Sequence, residues 1–101
     1  MPNKNYISGR RFEYKVKKFY ERIGFFVVRT AGSHSPIDLI AFRKNGTRKP
    51  IFIQCKYKRG GNPSISDKDR EALIYLKHAL GVETKIAYNN KKGLIFFEVV
   101  E

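Results

Sequence analysis

The sequence predicts an α/β fold with a central mixed five-stranded sheet flanked by helices, in the order αβββαββ. Three observations carry that expectation. Two segments repeat apolar residues at helical spacing, and five short runs rich in β-branched and aromatic residues lie between turn signals. Several of those runs are apolar without interruption, which favours strands covered on both faces.

Residues about 8 to 23 read as an amphipathic helix, with Phe12, Val16, Phe19, Tyr20 and Ile23 on its apolar stripe, Ser8 as N-cap and Gly24 as its stop. Phe25 to Thr30 is a strand, followed by the loop Ala31-Gly32-Ser33-His34-Ser35-Pro36. Ile37 to Phe42 and Ile51 to Tyr57 form a hairpin around Asn45-Gly46, a dipeptide suited to the positive φ angles of a tight turn. Arg43, Lys44, Arg48 and Lys49 surround that turn.

After the loop Arg59-Gly60-Gly61-Asn62-Pro63, Ser66 caps a second helix. Asp67 and Asp69 suit the positive end of its dipole, Leu73, Leu76 and Leu80 form its buried stripe, and Gly81 ends it. Thr84 to Tyr88 and Leu94 to Val100 are the last two strands, joined through Asn89-Asn90-Lys91-Lys92-Gly93.

A chain of 101 residues supports one core, so residues 1–101 read as a single domain without internal repeats. Its 21 Lys and Arg against nine Asp and Glu give a net charge of +12, which calls for a polyanionic partner, nucleic acid before a membrane surface. No segment reaches the roughly 20 apolar residues of a spanning helix, and the N-terminus lacks a signal-peptide core. The expectation is an intracellular, DNA-associated protein. Cys55, the one cysteine, is expected to be a buried, unreactive thiol, and His34 and His78 have no partners at metal-ligand spacing.

The chemistry-bearing residues gather on the first hairpin. Gln54 and Lys56 alternate onto one face of their strand, and the hairpin lays Asp38 beside them. A carboxylate, an amide oxygen and an ammonium at one spot suit metal-dependent phosphodiester hydrolysis. The bland alternative is a strand-end Asp near a Lys whose head reaches solvent. Mg²⁺ takes oxygen ligands and keeps waters, so Asp38, Gln54 and the Cys55 backbone carbonyl are its candidate ligands. Lys56 would then orient the attacking water or offset developing charge. Glu13, at the margin of the first helix's stripe, either leans towards this spot to hold a second ion or a water, or pairs with Lys17 in solvent. Ser33 or Ser35 is placed to contact the scissile phosphate, the alternative being a simple turn role. Arg10, Arg11, Lys15, Lys58 and Arg59 cluster around the same region as candidate phosphate contacts. Ile74 and Tyr75 lie off the second helix's leucine stripe and are candidate dimer contacts.

Glu13, then Gly24-Phe25-Phe26-Val27-Val28-Arg29-Thr30-Ala31-Gly32-Ser33, Ile37-Asp38-Leu39-Ile40-Ala41 and Gln54-Cys55-Lys56, resemble the archaeal-type Holliday junction resolvases of the PD-(D/E)xK nuclease superfamily. The resemblance runs from about residue 8 to the end and includes the Ser66 to Leu80 helix and the closing strand Ile95-Phe96-Phe97-Glu98-Val99. It implies a restriction-endonuclease-like core and a homodimer that introduces paired, Mg²⁺-dependent nicks in four-way DNA junctions, with Mn²⁺ able to substitute. By position, Glu13 matches the family's helix glutamate, Asp38 its metal aspartate, Lys56 its catalytic lysine and Ser33 its loop serine. Arg29 matches a basic residue linked to substrate handling.

Two departures stand out: Gln54 where the family usually has Glu, and Tyr14 where it has an Arg, whose role would pass to Arg10 or Arg11. Gln54 removes one negative charge from the ion's surroundings while keeping an oxygen donor, so weaker metal affinity is expected. It also leaves two alternatives standing: a non-catalytic junction-binding protein, and a related nuclease acting on other branched or duplex DNA.

Overall fold

A computed structural model describes residues 4–30, 35–46 and 48–101, with side chains from Ser8 onward. Seven elements follow in the expected order: α1 Lys4–Arg22, β1 Phe25–Arg29, β2 Leu39–Arg43, β3 Ile51–Lys56, α2 Asp67–Leu80, β4 Glu83–Asn89 and β5 Ile95–Val99. The five strands form one sheet in the order β1-β2-β3-β4-β5. All neighbours are antiparallel except β3 and β4, which run parallel with Gln54 opposite Ile86 and Lys56 opposite Tyr88. That parallel pair requires a crossover, and α2 supplies it.

One face of the sheet packs against α1. Phe12, Val16 and Tyr20 form a buried cluster with Val27, Leu39, Ala41, Ile51, Ile53 and Ala87, and Cys55 packs at its margin. The other face packs against α2 through Leu73, Ile86, Val100 and Ile37. Coverage of this second face is incomplete, contrary to the expectation from the apolar runs. Phe26 pairs directly with Phe42, yet they are 61% and 40% exposed, and Val28 beside them is exposed as well. Among the described residues no further element is left to cover β1 and β2 there.

Four local expectations are corrected. α1 begins at Lys4, so Ser8 lies within the helix and does not cap it. Phe19 and Ile23 are exposed, because α1 crosses the sheet on Phe12, Val16 and Tyr20, which leaves Phe19 against the Phe97 ring of β5 at the sheet's edge and puts Ile23 past the helix end. Leu80, one turn beyond Leu76, is exposed at the end of α2. Ile74 packs against the second core cluster, leaving only Tyr75 of the expected contact pair exposed. The caps of α2 match the sequence: Ser66 Oγ accepts from the Asp69 N–H, and Gly81 adopts the left-handed conformation with φ 64°.

The segment after Lys56 is fastened to the β4–β5 turn. The buried side chain of Asn89 accepts from the Lys58 N–H at 2.9 Å and donates to the Lys58 carbonyl at 2.8 Å, completing a two-point clamp. Gly61 has φ 90° and lies so close to the Asn90 backbone that a Cβ would sit 2.3 Å from its carbonyl carbon. Gly61→Ala should therefore cost more than about 1 kcal/mol of stability, and Asn89→Leu about 1–3 kcal/mol through the unsatisfied Lys58 backbone groups. Urea unfolding of both variants checks this; wild-type midpoints would show that the clamp carries no stability.

Candidate active site

Asp38 stands just before β2 and is held by its own backbone on two sides. Its N–H donates to the Ile53 carbonyl of β3 at 2.9 Å, and its carbonyl accepts from the Thr30 N–H at 2.9 Å. The side chain is fixed as well: Oδ2 accepts the Cys55 N–H at 2.7 Å. Gln54 and Lys56 alternate onto the α2 face near the C-terminal end of β3, and the Asp38 backbone meets β3 at Ile53, just before that level.

Burial pushes the Asp38 carboxyl up to about 6 from 3.8. The Cys55 N–H opposes that rise, the charge of Glu13 adds to it, and Lys56 and Arg29 oppose it. Glu13 therefore leans towards the sheet and acts on Asp38 through space. Its expected alternative partner, Lys17, instead pairs with Glu21 at 2.7 Å, while Glu13 Oε1 accepts from Arg29 Nε at 2.9 Å. Arg29 and Arg10 both lie over the ring of Tyr14, with guanidinium carbons 5.4 and 5.8 Å from its centroid. Arg10 beside the phenol, then Arg29, holds its pKa below the ordinary value. Cations thus crowd the position where the resemblance places an Arg and this chain has Tyr.

Gln54 is buried, and its Oε1 has no hydrogen-bond partner among the described residues. A bare carbonyl oxygen in a low-dielectric setting is unfavourable by about 1–3 kcal/mol, and an oxygen donor is what a hard divalent cation accepts. The donor set therefore fits such an ion: the Asp38 carboxylate, bonded to the Cys55 N–H, stands at the residue after the one that carries this orphaned amide oxygen. Among the described residues no cluster of three or more His, Cys, Asp or Glu side chains could hold a metal, so the ion would keep much of its water.

Lys56 Nζ donates to Asp69 Oδ2 at 3.2 Å. Sequence reading placed Asp69 only as a dipole-compensating acid in the first turn of α2. The one available signal was its position three residues after the Ser66 cap, where a side chain is held rigidly. Cys55 also contributes differently from expectation, through its N–H to Asp38. Its thiol is held well above its ordinary pKa by burial and then by the charge of Asp38, consistent with an unreactive group.

Of the basic residues, Arg11 and Lys15 line a groove of about 320 Å³ with Ser8, Tyr57 and Lys91, and Lys15 Nζ donates to the Gly93 carbonyl. Arg10, Lys58 and Arg59 are exposed. Ser35 Oγ accepts from the Ile37 N–H, a turn role. Ser33 and His34 lie outside the described residues. His78 is exposed near the end of α2, and among the described residues no helix is long and apolar enough to cross a membrane.

A family model described as restriction endonuclease matches residues 5–94. A crossover junction endodeoxyribonuclease Hjc from Methanocaldococcus jannaschii is 32% identical over 91 residues, covering 90% of this chain and 65% of that protein. The chain thus spans about 65% of the length of this curated relative. Among solved structures, Hjc of Archaeoglobus fulgidus, a Holliday junction resolvase from an archaeal hyperthermophile, matches with a TM-score of 0.74 and 26% identity. That match covers 92% of this chain and 73% of the other.

The raised Asp38 carboxyl makes a stability prediction. Its folded value of about 6 exceeds the unfolded 3.8, so its contribution is fully present below 3.8 and is lost as pH rises through 6. Asp38→Asn cannot ionise and keeps an acceptor for the Cys55 N–H. Near pH 7, without divalent ion, it should be more stable than the parent by up to about 3 kcal/mol, a difference that vanishes at acid pH. Thermal melts across pH with chelator present test this; a less stable variant at neutral pH would refute the burial argument.

Proposed function

Since this chain belongs to the restriction-endonuclease family, we propose that it is a structure-selective endodeoxyribonuclease that resolves four-way DNA junctions by divalent-metal-dependent phosphodiester hydrolysis. The observation that carries this reading is the Asp38 carboxylate fixed to the β3 backbone at Cys55, between Gln54 and Lys56, with Lys56 and Glu13 in electrostatic reach, in a chain of net charge +12. The 32% identical relative named as a crossover junction endodeoxyribonuclease supports the choice of substrate.

Asp38 and the Gln54 amide oxygen would hold the ion, with the Cys55 carbonyl and Glu13 as further donors, and Mg²⁺ is the proposed occupant with Mn²⁺ as substitute. When bound, the ion supplies Lewis-acid polarisation of the phosphoryl oxygen and acidifies a water. Lys56, held by Asp69, presents an ammonium beside the reacting phosphate and offsets the negative charge that develops there. The Cys55 N–H keeps the Asp38 carboxylate aimed while that charge moves. Ser33 is assigned to the phosphate through the loop before Asp38. Arg10, Arg11, Lys15, Arg29, Lys58 and Arg59 take the flanking backbone phosphates, contacts that give affinity without base identity.

Lys56→Ala and Asp38→Asn should each lower cleavage of a synthetic four-way junction by about a hundredfold or more while leaving junction binding near the parent's. Chelator should abolish cleavage, and activity should fall as pH drops through 6, where a proton competes for Asp38. Parent-like cutting by both variants would overturn the site. A parent that binds junctions but cuts with neither metal would favour a binding module, and equal cutting of linear duplex of identical sequence would change the substrate.

The reading includes a homodimer, which would bring two such sites to one junction. Tyr75 at 70% exposure, Leu80 and the uncovered Phe26, Val28 and Phe42 form the apolar surface that supports it. Phe42→Glu, on the open sheet face, should shift the mass in sedimentation equilibrium from dimer to monomer without lowering the melting temperature; an unchanged mass would move the contact elsewhere.

A further inference from the structure

A cavity of about 900 Å³ opens at the end of the sheet remote from Asp38 and Lys56. Because β3 and β4 are parallel, the start of β4 lies beside the start of β3, and Thr84 opposite Phe52 is four residues from the level of Lys56. At about 3.3 Å per residue the two places are about 13 Å apart along the strands. The nuclease reading uses nothing here.

The chemistry of the cavity is mixed in a specific way. Val82 and Val99 give it an apolar wall, while Arg48, Lys49, Lys77 and Lys85 bring four cations to its rim. The one carboxylate in the lining, Glu83, is already engaged by Arg43. Among the described residues Arg48 has no carboxylate partner, and Lys85, also without one, has its Nζ 6.0 Å from the centroid of the Phe97 ring. Lys77 is positioned by donating to the Val100 carbonyl at 2.8 Å. Like charges held this close repel one another, so the arrangement favours an anion between them.

A second, independent observation points the same way. Thr84 lines this cavity with its side chain fully buried, and its Oγ1 has no hydrogen-bond partner among the described residues. A buried hydroxyl left unpaired is unfavourable by about 1–3 kcal/mol, and Val would fill the same volume without that penalty. Rotation between staggered χ1 wells is the movement by which the hydroxyl would reach an occupant of the cup.

We propose that this cup binds a nucleoside phosphate. Arg48, Lys77 and Lys85 hold the phosphate, the Val82 and Val99 wall takes the base or sugar, and Thr84 Oγ1 supplies a directed hydrogen bond. A nucleotide combines both features of the lining, an anionic group and a flat, largely apolar body, and the cavity has the size of sites that enclose small ligands. It is offered equally by an unpaired end of a DNA strand and by a free nucleotide.

Amide chemical-shift mapping in chelator, so that the Asp38 site is silent, tests this with deoxyadenosine monophosphate, a short 5′-phosphorylated oligodeoxyadenylate and inorganic phosphate. Both nucleotide probes should move the amides of Gly81 to Lys85 and bind more tightly than phosphate alone. Arg48→Glu, on the exposed hairpin, and Lys85→Glu should each weaken them about tenfold. Thr84→Val should weaken them about threefold while raising the melting temperature, a pairing that a purely structural threonine would not produce. Asp38→Asn should bind as the parent does, which separates this site from the nuclease reading. An oligonucleotide that outcompetes the mononucleotide identifies a DNA strand as the source, and the reverse identifies a free nucleotide. Amides of Gly81 to Lys85 unmoved by either probe, phosphate binding as tightly as the nucleotides, or unchanged affinity in Arg48→Glu and Thr84→Val, would overturn the proposal.

Discussion

The hydrogen bond from the Cys55 N–H to Asp38 Oδ2 is the constraint around which the site is built. Together with Asp38 N–H on Ile53 and Thr30 N–H on the Asp38 carbonyl, it ties the end of β1, the start of β2 and the far end of β3 to one residue. The carboxylate therefore cannot swing towards solvent to escape its burial, and the raised pKa follows directly. A charged group kept in an unfavourable place by its own backbone is a typical cost of pre-organisation. What the fold gives up in stability it regains when a cation arrives, because the same burial that disfavours a lone carboxylate strengthens its attraction to a divalent ion.

Much of this was legible in the chain. The Asn45-Gly46 turn sets the hairpin that brings β2 beside β3, and period-two alternation puts Gln54 and Lys56 on one face of β3. Ser66 and Gly81 delimit α2 because caps are local chemistry. Contacts that depend on how elements cross were not legible. Helical periodicity places Glu13 at the margin of a stripe, but whether it meets Arg29 or Lys17 depends on the angle of α1 over β1. Likewise the pairing of Lys56 with Asp69 requires knowing where α2 lands after the Gly60-Gly61 loop. Ile23 and Leu80 continue the helical pattern yet lie at or past the helix ends, a matter of length that periodicity does not encode.

The replacement of a carboxylate by Gln54 changes the electrostatics of the site more than its shape. With Glu at that position, a further carboxylate would stand near Asp38, and its repulsion would push the Asp38 carboxyl up further. With the amide, Asp38 and Glu13 remain, and Arg29 and Lys56 each take up part of their field. Tyr14 fits the same economy: its ring gathers Arg10 and Arg29 on the helix surface beside Glu13.

The uncovered half of the sheet ends in β1, whose outer edge has no neighbouring strand among the described residues. Its sequence, Phe25-Phe26-Val27-Val28, is of the kind that recruits further strands into fibrous stacks. Arg29 and Arg43 stand at its two ends and Lys44 follows, so repulsion between copies is the guard against runaway pairing. Ionic strength then pulls in two directions at once: salt that strips the molecule from a nucleic acid also screens the charges keeping its bare edges apart. Purified free of polyanion in concentrated brine, this chain is at its most vulnerable to insoluble assembly.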